Sequence, residues 1–512
     1  MKMVRCPQSL KRCSWLAVAL CAAGAALFLL VAYVWLYHDC DLWHLWLPKS
    51  ANNDEVIYNR QVVGVLTGGQ PRGVFGYNES RAALGHFGAW GPVLPLLYGI
   101  PGLLVGVGVN TMFWCNVLFA VAGWVIFARG ARLSWKKQLV FGLALLCALM
   151  PMQQILAGTA ESLQYFLIFC VLGASAALLR QFRLGWYLVL AAACGLLTVV
   201  RAYTMLLWLF PIGLLWKNHR RHAVAAMVMA PLSLGAYCVI TKLCNAPYFS
   251  GGDVDLTVFH LLAKGRLFSA IRYEWNVVSE ELSTLWNDHL LPTFSGHPTR
   301  QGVAFLLLML LVVATVCSLA DDMRHHRQIR LRVCALLCVV CSQLAMLALY
   351  AIDPMVRHYT MLMILLLGAL VCEYWAAFLI CVPALAVQVC LPAVLWRETL
   401  PTYDAAMDQQ IQTIHTALQQ EMDACHSEDP WDYTVAYAWP SDAFHGYLYA
   451  VPAGMGIQFD YSSYIANEDN PIHSRYAMVK RGGKAEQRLI EDDWQELVVS
   501  EEIVVYECPE GE

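Results

Sequence analysis

Charge is scarce in this sequence. Only 14% of its 512 residues are Asp, Glu, Lys or Arg, 59% are hydrophobic, and the mean hydropathy is +0.51. That balance excludes a water-soluble enzyme and leaves a chain built to sit in a bilayer. Loops that hold nucleotides are missing as well: Pro452-Ala453-Gly454-Met455-Gly456 has two glycines but neither a third nor the Lys-Ser/Thr pair of a phosphate loop. The 19 cysteines show no metal-ligand spacing. Cys21, Cys115, Cys147, Cys170, Cys194, Cys338 and Cys390 lie inside apolar runs, where a thiol behaves as a small hydrophobe. Cys425 and Cys508 lie in polar sequence and are expected as unpaired thiols, with a disulfide as the alternative. No internal repeat is evident, and nothing points to nucleic acid.

What is present is a series of apolar runs separated by basic turns. Lys2, Arg5, Lys11 and Arg12 precede the run Trp15 to Tyr37, which is long enough to cross a membrane. It is expected as a retained first span with a cytoplasmic N-terminus, being longer than a signal-peptide core and lacking a small-residue cleavage site. Residues 38–109 then form a long outer loop, and long loops are suspect as functional. Its last part, 93–107, is broken by Pro95, Gly99, Pro101 and Gly102 and is expected as a short, bent, partly embedded helix. Further apolar runs lie near 111–127, 138–156, 162–179, 185–200, 203–216 and 222–243, and, after a second outer loop at 244–300, near 301–319, 331–350, 359–372 and 375–395. Basic turns at Arg129/Arg132, Arg180/Arg183, Lys217/Arg220/Arg221 and Arg324/Arg327/Arg330/Arg332 mark the cytoplasmic side. About eleven crossings result.

From Arg397 onward 22 acids face six bases, whereas the preceding residues carry twelve more bases than acids. The expected organisation is therefore a transmembrane domain over 1–396 in the plasma membrane and an extracytoplasmic domain over 397–512. The latter is predicted to hold a helix at Tyr403–Cys425 and strands near 433–439, 447–451, 475–480 and 503–506, a small α/β or α+β unit.

Ionisable groups are costly in a bilayer, so those at the outer ends of the runs carry the information. Asn52 or Asn53 caps a predicted helix to about Leu66, with Asp54 and Glu55 in its first turn. Glu161 stands at an outer turn, where with Thr159 it would otherwise cap the next helix. Arg201 has no acid nearby in sequence, and a snorkelling side chain is its simpler explanation. Asp353 to Tyr359 places Arg357 before a late span, either paired with Asp353 or gripping a phosphate. Acids and arginines gathered on one side suit sugar transfer from a lipid phosphate: a carboxylate takes the acceptor proton and arginines hold the departing phosphate.

In these features the chain resembles the GT-C glycosyltransferases, represented by protein O-mannosyltransferases and aminoarabinose transferases. The residues that carry the resemblance are Asp54-Glu55-Val56-Ile57-Tyr58, matching an Asp-Glu-x-x-Tyr motif; Glu161 after the third span; Gly195-Leu196 with Arg201; and Arg357-His358-Tyr359. It implies an inverting transferase using a polyprenyl-phosphate-linked sugar, with Asp54 as base and Glu55 beside it. Glu161, Arg201, Arg357 and His358, with Tyr58 and Tyr359, would bind the substrates. Some relatives hold a divalent metal near a Lys-Pro pair; here Glu79 and His86 are the candidates, and Trp90-Gly91-Pro92 stands in place of the Lys-Pro. The acceptor is left open among protein, lipid and cell-wall polymer. The alternatives are a transporter or flippase, for which two matching halves with broken spans would be expected, and a scaffold that presents its acidic tail.

Overall fold

The computed structural model describes residues 15–36, 54–68, 75–80, 91–108, 110–147, 154–244, 255, 257–325, 329–349, 356–390 and 404–509. Asn52, Asn53, residues 69–73, His86 and Asp353 lie outside the described residues, as do the side chains of Asp54 and Arg357. Helix α1 (Trp15–Leu36) is followed by α2 (Asp54–Gly68), α3 (Val93–Val105), α4 (Thr111–Ala131), α5 (Trp135–Cys147), α6 (Glu161–Arg180) and α7 (Leu184–Val200). A 3-10 segment, Ala202–Trp208, leads into α8 (Leu209–Leu215) and α9 (Arg220–Cys244). Next come α10 (Thr257–Ala263), α11 (Leu267–Thr284), a π segment (Leu285–Leu290), α12 (Leu291–Phe294), α13 (Arg300–Arg324), α14 (Arg330–Leu349), α15 (Val356–Glu373) and α16 (Trp375–Cys390).

Among the described residues six helices are long and apolar enough to cross a membrane: α1, α4, α6, α9, α13 and α14. Four shorter apolar helices, at Val93–Val105, Leu184–Val200, Ala202–Leu215 and His358–Glu373, stand beside them. The protein is thus a polytopic helical membrane protein. Helix α6 is its axis, with 89% of its apolar window buried inside the protein. Small residues permit this: Gly130 of α4 and Gly173 of α6 meet so closely that a Cβ on either would strike the other helix's backbone within 3 Å. Helix α3 is short and contains Pro101, as its composition predicts, and Gly106 ends it with φ +91°.

The C-terminal part is α+β. Helix α17 (Ala405–Ala424), capped by Asp404 through the N–H groups of Ala406 and Met407 at 3.0 Å, lies over a six-stranded sheet. Its strands are β1 (Phe75–Gly76), β2 (Thr434–Trp439), β3 (Gly456–Tyr461), β4 (Tyr476–Lys480), β5 (Gln495–Val499) and β6 (Ile503–Glu507), in the order β1-β3-β2-β4-β6-β5. β1, β3, β2 and β4 run parallel, while β6 is antiparallel to both of its neighbours, β4 and β5. Edge strand β1 comes from the first loop, pairing Phe75 with Ile457 and Gly76 with Gln458, so the sheet draws on both ends of the chain.

The strand predicted at 447–451 is not one: Asp442–Ala450 is 3-10 helical. Residues 447 to 451 are all buried, and a run buried on every side hides its period. Its polar groups turn to α17 instead, the Tyr447 hydroxyl donating to Gln410 Oε1 at 2.9 Å and the Ala450 carbonyl lying 3.2 Å from His415 Nδ1. No disulfide joins Cys425 to Cys508.

Candidate active site

Four segments bring ionisable groups to one end of the helical bundle. Helix α6 starts there with Glu161, α7 ends there and leaves Arg201 extended (φ −142°, ψ 114°), α15 starts there with His358 and Tyr359 in its first turn, and α2 supplies Glu55. Arg201 is 2% exposed. Its Nη2 lies 3.1 Å from Glu161 Oε1, and its Nη1 donates to the Tyr203 hydroxyl at 3.1 Å and lies 2.8 Å from His358 Nδ1. Gln164, with its amide oxygen turned to satisfy both groups, accepts from Arg201 Nε at 3.0 Å and Nη2 at 3.2 Å.

A guanidinium has no lone pair to give, so His358 Nδ1 is the acceptor and the imidazole is the neutral tautomer with its proton on Nε2. The acid that Arg201 lacks in its own stretch of sequence is supplied 40 residues earlier, and a buried, multiply bonded guanidinium is not a snorkelling one. The capping explanation for Glu161 also fails. Ala160 is the N-cap and makes no side-chain bond, while the Thr159 hydroxyl donates to Gln154 at 3.0 Å. Among the described residues Glu161 Oε2 is buried without a hydrogen-bond partner, leaving an acceptor for a ligand hydroxyl.

Glu55 is fully buried, and its Oε1 accepts from the Gly158 N–H at 2.9 Å. A Cβ on Gly158 would stand 3.3 Å from the Glu55 Cβ, so a side chain there would have to push the helix back by a few tenths of an ångström. Asn116, within α4, fixes this loop from the other side. Its Nδ2 donates to the carbonyls of Ala157 at 2.6 Å and Thr159 at 2.9 Å, and its Oδ1 accepts from the Tyr98 hydroxyl at 2.7 Å. Glu55 and Glu161 thus stand on the two sides of one short, pinned turn. Tyr58 and Tyr359 are buried, the latter with its ring 6.1 Å from that of Phe305. Asp54 and Arg357 open α2 and α15 beside Glu55 and His358. Asn116, Gln164, Tyr98 and Tyr203 were not among the residues the sequence singled out; a polar amide inside an apolar run is the signal that marks the first two.

Glu79 lies with the C-terminal sheet. Its Oε2 accepts from the N–H groups of His473 at 2.7 Å and Ser474 at 2.8 Å, its Oε1 accepts from Ser474 Oγ at 2.7 Å, and its own N–H donates to Asp460 Oδ1 at 3.1 Å. Burial and then the charge of Glu79 push the Asp460 carboxyl up to about 8. Among the described residues no group of three or more His, Cys, Asp or Glu is placed to hold a metal. Glu79 already accepts three hydrogen bonds from the C-terminal domain, and its expected partner His86 lies outside the described residues.

No family model and no curated protein matches the chain. Solved structures do. The apo oligosaccharyltransferase of Archaeoglobus fulgidus aligns over 92% of this chain and 70% of its own at 10% identity, with a TM-score of 0.51. The chain therefore shares the fold of this oligosaccharyltransferase. ArnT from Cupriavidus metallidurans, bound to undecaprenyl phosphate, aligns over 96% of this chain and 97% of its own at 13% identity and a TM-score of 0.49. The Archaeoglobus enzyme complexed with zinc and sulfate aligns over 90% and 68% at 12% identity and a TM-score of 0.48.

Proposed function

We propose that the protein is an inverting glycosyltransferase that moves a sugar from a polyprenyl-phosphate carrier to an acceptor hydroxyl on the extracytoplasmic face. One observation carries this: Arg201 is held rigid at the end of the bundle by Glu161, Gln164, Tyr203 and His358, with Glu55 one pinned turn away. In the reaction the acceptor oxygen attacks the anomeric carbon from the side opposite the phosphate. Asp54 takes the acceptor proton, and the bond from the anomeric carbon to the phosphate oxygen breaks with its electron pair going to the phosphate. The charge that gathers there is met by the guanidiniums of Arg201 and Arg357, preorganised so that no reorientation is needed. Glu55 and Glu161 position the reactants, the free Oε2 of Glu161 accepting from a sugar hydroxyl. No step is assigned to a metal.

In this scheme the basic turns face the cytoplasm and the C-terminal domain lies outside. The test is Asp54→Asn, reconstituted with a panel of lipid-phosphate sugars. Transfer is expected to fall by a factor on the order of 10² to 10⁴, with protein level and donor binding unchanged; near-normal transfer would refute the assignment of the base.

A further inference from the structure

A cavity of about 390 Å³ opens between α2 and the C-terminal domain. Asn59, Arg60 and Val63 line it from α2, Gln412 and His415 from α17, and Tyr449 from the 3-10 turn. Arg60 is 3% exposed. It donates through Nη1 to the Val451 carbonyl and through Nη2 to those of Pro452, at 2.9 Å, and Met455. Three carbonyls satisfy hydrogens without neutralising a charge, and among the described residues Arg60 has no carboxylate partner. Burial alone pulls its pKa down, to about 9.

Two further polar atoms are buried here with no hydrogen-bond partner among the described residues: Arg60 Nε and the Tyr449 hydroxyl. Asn59, by contrast, is spent, donating to the Gly108 carbonyl and accepting from the Met112 N–H, both at 3.2 Å. Burial holds the His415 imidazole below its usual range, so it adds a neutral polar group and no second charge. A roomy cavity that, among the described residues, has an uncompensated cation, two orphaned polar atoms and no acid in its lining is built to receive an anion.

We propose that this cavity binds an anionic group, a carboxylate or a phosphate, carried by the acceptor. Naming the acceptor as carrier rests on the transferase function proposed above; the anion site itself does not. Tyr449 links the two places, since the Glu55 charge adds to burial in raising its hydroxyl. The orphaned hydroxyl would donate to the anion, and the guanidinium would supply the field.

The full-length protein in nanodiscs is titrated by calorimetry with glucuronate, inorganic phosphate and, as neutral isostere, glucose. Saturable binding of glucuronate or phosphate is expected, at least tenfold tighter than glucose, the preferred anion telling a carboxylate acceptor from a phosphorylated one. Tyr449→Phe, which removes only an unbonded hydroxyl and leaves the packing intact, is expected to weaken that binding about tenfold, and Arg60→Gln to abolish it. Equal binding of glucose and glucuronate, or anion affinity unchanged in Tyr449→Phe, overturns the proposal even if Arg60→Gln fails to fold. Arg201→Gln separates the two ideas: it should abolish transfer while glucuronate still binds.

Discussion

Replacing Glu161 by alanine leaves the Arg201 guanidinium buried, charged and short of its acid. The expected cost is about 3–5 kcal/mol, read as a fall in the thermal midpoint of the protein in nanodiscs. The double replacement Glu161→Leu, Arg201→Leu should cost less than either single change, because it removes the charge along with the partner. Additive losses would show that the two side chains do not act as a pair. At this scale the sequence is informative about position and silent about partners. Glu161, Arg201 and His358 announce themselves as polar residues where apolar runs end, and all three meet. That Arg201 bonds to Glu161 and lies against His358, 40 and 157 residues distant, is decided by how α6, α7 and α15 pack, which no local spacing records. Tyr203 and Tyr98 are invisible for a related reason, since a tyrosine in an apolar run reads as core until its hydroxyl finds a partner.

Among the elements, apolar length and basic turns make the helices legible, and the Pro/Gly-broken segment forms a short helix, Val93–Val105, where its composition leads one to expect one. The sheet is harder. β2, β4 and β6 are readable from their hydrophobic runs, whereas β1 has two residues and β5 is largely exposed, so neither carries a pattern. β1 nevertheless has a strict local demand: a Cβ on Gly76 would stand 2.1 Å from the buried Gln458 side chain. Gly76→Val is therefore expected to force that amide aside and loosen the edge strand by about 1–3 kcal/mol. Faster backbone hydrogen exchange confined to residues 75–80 and β3 is the outcome to look for, with the helices unaffected. Uniform protection would mean that β1 contributes little to the sheet.

For the whole molecule the contact between first loop and C-terminal domain has a built-in pH dependence. Asp460 carries a proton in the folded protein up to about 8, beside Glu79, and loses it in the unfolded chain near the ordinary carboxylate range. The folded state thus binds more protons between those limits, so the stability from this pair is complete at low pH and drains away as pH rises towards 8. The thermal midpoint should fall across that window, and Asp460→Asn should flatten the fall; a wild-type profile that rises with pH would contradict the assignment. The same contact governs how the protein is made. Ile457 leaves the ribosome 382 residues after Phe75, its partner across the sheet. The first loop must wait with an unpaired border until almost the entire polypeptide has been threaded into the bilayer. Assembly is then sealed last at the place where its beginning and its end are stitched together, and a chain halted before residue 456 would display a raw sheet edge that quality-control factors can recognise.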